Sequence, residues 1–177
     1  RHMCIRDRIN ANQEYTSKIL DISGNDHVYT ATITTEEING QEVPVLSVIN
    51  TVSGEKRSTE TLEFHENRLK RYEYIRHNVN ERSGVDILDG AIRIYKEYKG
   101  KTKTKTIALE NPYLVGPLVT AYIQKHIEEL KKGLKRDVLI IIPGHLRVLR
   151  FTLAKDIEKS TEKVLAVKLS AANIIVR

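Results

Sequence analysis

The sequence predicts an α+β protein, predominantly antiparallel β, in which a strongly curved meander sheet packs on one amphipathic helix. Three observations lead there. β-rich runs alternate with Gly- and Asn-containing turns from His27 to Leu109. One stretch, "NPYLVGPLVTAYIQKHIEELKKG", carries apolar residues at helical spacing, and a second hairpin pattern follows it. The helix has an apolar stripe to bury, and a sheet is the only large partner available to it.

Residues 1–3, "RHM", look like a cloning scar, and residues 4–25 read as a polar lead-in segment with "SGND" as a turn. Asn39-Gly40 then separates two β-rich runs. Both residues tolerate positive φ, which makes this a hairpin signal. Pro44 has no N–H for a ladder and belongs at an edge or bulge. "SGEK" makes the next turn, "TETLEF" a short strand, and "HENR" a further turn. In the strand "RLKRYEYIR", Leu69, Arg71, Glu73 and Ile75 oppose Lys70, Tyr72, Tyr74 and Arg76. Asp89-Gly90 and Lys99-Gly100-Lys101 are turns around "AIRIYKEY", where Ile92 and Ile94 share a face.

"KTKTKTIAL" sets Lys101, Lys103 and Lys105 against Thr102, Thr104 and Thr106. With Lys99 this is a comb of four lysines, and its first reading is an amphipathic meander strand with one face solvated. The helix, of about 15 residues, presents Val115, Leu118, Val119, Tyr122, Ile123, Ile127 and Leu130. Pro117 suits its first turn, Lys131 and Lys132 its last, and Gly133 its stop. A strand, a Pro-Gly turn and another strand follow. Ile174, Ile175 and Val176 then leave the chain in mid-strand, which suggests a truncated C-terminal end or a strand that pairs with a partner.

The 177 residues, 40% hydrophobic and 29% charged, suit a single globular domain spanning 1–177. The net charge of +6 is local. Lys99–Leu109 carries four lysines and no acid, and Lys125–Arg136 carries five basic residues against two acids. These two patches hold +7, leaving −1 elsewhere, which weakens a nucleic-acid argument from overall basicity. One cysteine, Cys4, excludes an internal disulfide framework and multi-thiolate zinc. No run reaches the ~20 apolar residues of a membrane span. With Met3 as the native start the protein is cytoplasmic; with a signal removed before a lipid-bearing Cys4 it belongs to the periplasm or outer membrane.

No catalytic signature is present: no Gly-rich phosphate loop, no His-Glu-x-x-His, no Gly-x-Ser-x-Gly and no Cys-x-x-Cys. His27, His65, His77, His126 and His145 lack ligand spacing. Asp86 and Asp89 fall on opposite sides of a strand by parity, and Asp89 is explained by its turn. The expectation is a non-enzymatic protein with no cofactor and no metal. Two binding readings stand. Arg68, Lys70, Arg71 and Arg76 interleave with Tyr72 and Tyr74 as in a stacking platform for single-stranded nucleic acid, with the lysine comb on phosphates. Alternatively, the space between helix and strands holds an apolar ligand such as a lipid or acyl chain. Its walls would be Leu118, Tyr122 and Ile123 from the helix and Ile75, Ile94, Leu149 and Phe151 from strands.

The order of features in "YLVGPLVTAYIQKHIEELKKGLKRDVLIIIPGHLRVLRFTL" is a Gly-Pro start, an amphipathic helix, a Leu-x-x-Gly exit and a strand–Pro–strand hairpin ending in "RFTL". With the "ETLEF" strand and the meander, it resembles uncharacterised exported proteins of Gram-negative bacteria that share the half-barrel-plus-helix fold of the Lol-type lipoprotein carriers. The likeness runs from Thr59 to Arg177 and is one of pattern. It implies a half-barrel, a periplasmic or outer-membrane-associated location, and a concave sheet holding acyl chains or an envelope protein partner. The lysine comb would then serve solubility or attraction to anionic headgroups at a membrane surface. The carriers' functional residues map onto no position here, no signal peptide precedes the pattern, and the chain ends before a half-barrel would finish.

Overall fold

The computed structural model describes residues 13–20, 26–38, 40–66, 68–109, 111–161 and 165–171. The expectations for Cys4, for the turn at residues 23–25 and for Ile174–Val176 lie outside the described residues. The architecture is mostly antiparallel β with few helices, and neither sheet is strongly curled. Contacts divide the chain into two compact units. One is built on the residues up to Glu110 with Pro143–Leu146, the other on Asn111–Ile142 and the chain from Arg147.

The first unit is an eight-stranded meander: β1 (Gln13–Leu20), β2 (Asp26–Ile38), β3 (Gln41–Val52), β4 (Glu55–His65), β5 (Arg68–Arg76), β6 (Glu81–Leu88), β7 (Ala91–Tyr98) and β8 (Lys101–Ala108). Every neighbour is the next strand in sequence and every pair is antiparallel. β1 is unexpected, because "QEYTSKIL" reads as a polar lead-in. The turns at Ser53-Gly54, Asp89-Gly90 and Lys99-Gly100 are as foreseen, while Asn39 and Asn67 of two further expected turns lie outside the described residues. At Ser53-Gly54 and Lys99-Gly100 both residues have positive φ (51° and 81°, 50° and 71°), the backbone of a type I′ hairpin. Pro44 pairs with Thr35 on one side only, since the β3–β4 ladder begins at Val45. Bulges interrupt the register at Asn50/Thr51 and Glu63/Phe64.

From Ser58–Glu63 of β4 through β8 the strands run in step, so residues line up in rows across the sheet and each row lies on one face. One row is Leu62–Tyr72–Val85–Ile94–Lys105, buried from Leu62 to Ile94 and exposed at Lys105. A 3-10 turn, Pro143–His145, packs on β6 and β7. The opposite face carries Thr61–Glu73–Gly84–Tyr95–Thr104 and Glu63–Arg71–Asp86–Arg93–Thr106. Across β4–β7 one face is thus an apolar core and the other a polar lattice.

The second unit holds β9 (Tyr113–Leu114), α1 (Leu118–Lys125), α2 (Ile127–Lys131), β10 (Arg136–Ile142), β11 (Arg147–Lys155) and β12 (Val167–Ala171). Its sheet runs β12-β11-β10-β9, with β9 parallel to β10. The expected single sheet over a helix is corrected here: the strands form two sheets, and α2 packs on β11 of the shorter one. The expected single helix is interrupted at His126 (φ −108°, ψ 17°), whose N–H is shared between the carbonyls of Tyr122 and Ile123. Leu114, Val138, Ile140 and Leu153 are buried on one sheet face, and Leu118 and Leu130 are the buried helical residues.

α2 ends as its sequence requires. The Gly133 N–H donates to the Leu130 carbonyl and the Leu134 N–H to the Glu129 carbonyl, a Schellman motif with Gly133 at φ 83°. That conformation is free for glycine and strained for other residues. Gly133→Ala is expected to lower the unfolding free energy by about 1–2 kcal/mol in urea denaturation followed by circular dichroism. An unchanged midpoint would show that the helix end carries no such constraint.

Candidate functional site

The polar face of β4–β7 is a lattice built by strand parity. Arg93 donates through Nε and Nη2 to Asp86 Oδ2 at 3.0 and 2.8 Å. Arg82 Nε lies 3.0 Å from Glu73 Oε2, and Arg71 stands among Glu63, Glu73 and Asp86 at 3.9, 3.4 and 3.7 Å. The Tyr95 hydroxyl donates to Glu73 Oε2 at 3.1 Å. Burial, opposed by the Arg71 guanidinium and reinforced by the Glu73 charge, pushes the Tyr95 phenol up to about 12. Three arginines face three carboxylates, so the lattice is close to neutral. Such a patch is the solvated, cross-paired face of a sheet.

Gly84 makes the lattice possible. It lies between Glu73 and Tyr95 in one row, and the Tyr95 ring passes over it. A Cβ there would stand 2.2 Å from the Tyr72 carbonyl oxygen and 2.7 Å from the Tyr95 hydroxyl. Glycine in a strand often marks such a close approach.

On the apolar face, the Tyr72 hydroxyl donates to Glu60 Oε2 at 2.7 Å. Burial, then the neighbouring Glu60 charge and this hydrogen bond, raise the Tyr72 phenol. Burial holds the Glu60 carboxyl above its ordinary value, partly offset by the same bond. Tyr72 is only 5% exposed, so its ring is closed to a nucleic-acid base. Tyr74 shares that face, half-buried, while Arg71 is on the other face in the carboxylate lattice. Arg68, Lys70 and Arg76 are exposed.

The seven residues expected to line an apolar site divide between the units. Ile75 and Ile94 belong to the meander and lie on opposite faces: Ile75 pairs with Arg82 on the polar side, and Ile94 with Val85 in the core. The other five belong to the second unit. Leu118 is buried, and Tyr122 and Ile123 on α1 are half-buried. Leu149 and Phe151, also half-buried, pair with Ile140 and Val138, on the face where Leu153 is buried. Beside them, the Tyr122 and His126 rings lie 4.4 Å apart, and His126 Nδ1 is 3.1 Å from Glu129 Oε2. Glu129 also accepts from Arg136 Nε at 2.7 Å and from Nη2, and the Arg136 bond holds its carboxyl below the usual range. Sequence reasoning missed this cluster because Arg136 reaches Glu129 across a turn.

The lysine comb is a strand, as expected, but not one with a packed side. β8 is the last strand of the meander, and Lys101 through Thr106 are all exposed. By register the lysines share the face of the buried row, and the threonines share that of the lattice. The core stops at β7, so neither face of β8 is covered along that stretch. Lys99 sits 5.2 Å over the Tyr98 ring. Among the described residues no cluster of His, Cys, Asp or Glu could hold a metal ion, and no helix is long and apolar enough to cross a membrane.

Two outcomes follow from these faces. Gly84→Ala is expected to cost at least about 2 kcal/mol in urea unfolding, because backbone is in the way, while Tyr95→Phe costs about 1 kcal/mol for its hydrogen bond. Equal, small losses would mean that the ring does not depend on the gap. Glu60 supplies the second. A carboxyl raised on folding holds its proton more tightly in the native state, so its stabilisation is complete below 4.5, its ordinary value, and is lost as pH rises from there through the folded value. Glu60→Gln should therefore gain stability relative to the parent chain as pH rises from about 4 to about 7. A difference that stays constant with pH would exclude a raised Glu60.

Comparison with known proteins finds no match to a family model, to a curated protein or to a solved structure.

Proposed function

We propose that this chain is a non-enzymatic binding protein of the cell envelope, periplasmic or outer-membrane-associated. Its ligand is an apolar molecule, a lipid or acyl chain, held against the helix-bearing face of the four-stranded sheet. The observation that carries this reading is a contrast within one unit. Leu114, Leu118, Leu130 and Leu153 are buried, yet Tyr122, Ile123, Leu149 and Phe151 beside them in sequence keep part of their surface in water. Leaving apolar area exposed forfeits about 25 cal/mol per Å², and a ligand's hydrocarbon would recover it. The envelope location rests on the resemblance to exported half-barrel proteins. The half-barrel itself belongs to this proposal; its support is the pair of bulges at Asn50/Thr51 and Glu63/Phe64, since a bulge bends a strand and increases its twist.

Native mass spectrometry of the mildly extracted protein is expected to show co-purified lipid. A fluorescent fatty acid should bind the delipidated chain, and Tyr122→Ala with Ile123→Ala should weaken it at least about tenfold, or 1.4 kcal/mol. Ligand-free protein that also ignores the fatty acid would overturn the reading.

A further inference from the structure

We propose that the free edge of β8 is a docking site for an acidic, extended peptide segment, which adds to the meander as a ninth strand. This goes beyond the apolar-ligand reading and rests on a different part of the chain.

The first argument is backbone geometry. Tyr98 and Lys101 close a two-residue turn and are a directly opposed pair, so they exchange hydrogen bonds across it. Hydrogen-bonded and open pairs alternate along an antiparallel ladder, and no register shift interrupts β7–β8. The peptide groups of Lys101, Lys103 and Lys105 therefore point inward to β7. Those of Thr102, Thr104 and Thr106 point outward, where no strand of the described residues lies. Three residues with unpaired donors and acceptors in a regular, exposed line are a template for another strand.

The second argument is charge. Lys101, Lys103 and Lys105 stand on one face about 7 Å apart, and among the described residues none of the three is in an ion pair. The three carboxylates of the lattice are engaged by Arg71, Arg82 and Arg93, and Glu81 by Lys96 at 3.3 Å. The comb is thus an unneutralised row whose period matches alternate residues of an added strand. A second copy of β8 would set lysine against lysine, which disfavours self-pairing. A strand with Glu or Asp at every second position would set opposite charges on the same face. Charge selects the partner, and the threonine peptide groups bind it.

The test uses the full chain and a capped nine-residue peptide of alternating Glu and Thr. Fluorescence anisotropy is expected to show saturable binding, weakened at least about tenfold by the charge-reversal variant K101E/K103E/K105E, whose side chains are all exposed. Hydrogen exchange should slow at the Thr102, Thr104 and Thr106 amides while those of Lys101, Lys103 and Lys105 keep the protection that β7 gives them. The same peptide N-methylated at its threonines should fail to bind. Equal binding of the N-methylated peptide, or of oligo-dT or anionic vesicles, without threonine amide protection would reduce the edge to a general cationic surface and overturn the proposal. Absence of any binding at low salt would overturn it too. Neither result bears on lipid carriage by the second unit, since the fatty-acid assay reads α1 and β11.

Discussion

Unbroken register from β5 to β8, shared by Ser58–Glu63 of β4, is the constraint on which the meander depends. A strand's side chains alternate with a period of two, so a slip of one residue would exchange the buried row for the charged one. Two devices hold the register. A tight turn with two left-handed residues, Lys99-Gly100, fixes where β7 reverses into β8, and Gly84 admits the Tyr95 ring to the row that Glu73 needs. The second device works at long range in sequence: a ring from β7, seated over a glycine of β6, bonds a carboxylate of β5. Local turns and a three-strand contact thus specify the same alignment, which is the agreement between levels that gives a sequence one structure.

The same register distributes charge. On the lattice face, carboxylates and guanidinium groups alternate between strands, and each finds an opposite partner on its neighbour. At the edge that alternation ends in Thr104 and Thr106, while on the opposite face Lys103 pairs with Lys96 and Lys105 with Ile94. The basicity of the comb is therefore not part of a general field but what is left after the inner strands have neutralised themselves. Its position at an edge, and not in the middle of a face, makes it compatible with a sheet that does not aggregate.

What could be read from the sequence was what is decided locally. The hairpin turns, the parity within β5 and β7, Pro44 beside an open register, and the Gly133 helix end all depend on a few neighbouring residues. The relative phase of different strands was not legible. Ile75 and Ile94 each sit correctly within their own strand, yet the four-residue connection from Arg76 to Glu81 and the pairing beyond it place them on opposite faces. Nor could periodicity reveal that the strands after the helix form their own sheet, since β10 and β11 would alternate equally well in either. β1 escaped because Gln, Glu, Thr, Ser and Lys dominate it, and a strand held by its ladder needs no apolar signature. Helix and hairpin patterns placed the five residues of the second unit in their elements, Leu118, Tyr122 and Ile123 on α1 and Leu149 and Phe151 on β11. The lattice was missed because its partners are separated by strands.

The second unit shows why partial burial is more informative than full burial. Leu130 and Leu153 are inaccessible, and any small core needs residues of that kind. Phe151 and Leu149 lie on the same sheet face as Leu153, and the three are successive alternate positions of one strand. Leu153 is buried and Phe151 and Leu149 are half-buried, while all three stay large and apolar. A solvated strand end ordinarily changes to polar side chains, as β8 does with its lysines and threonines. β11 keeps its apolar character on this face between Arg147 and Lys155, which stand only at the two ends of the strand. The helix repeats the pattern, with Leu118 buried and Tyr122 and Ile123 half open. Two elements with unrelated periodicities therefore retain apolar side chains that folding alone does not cover, and a hydrocarbon surface is the kind of partner that would cover them.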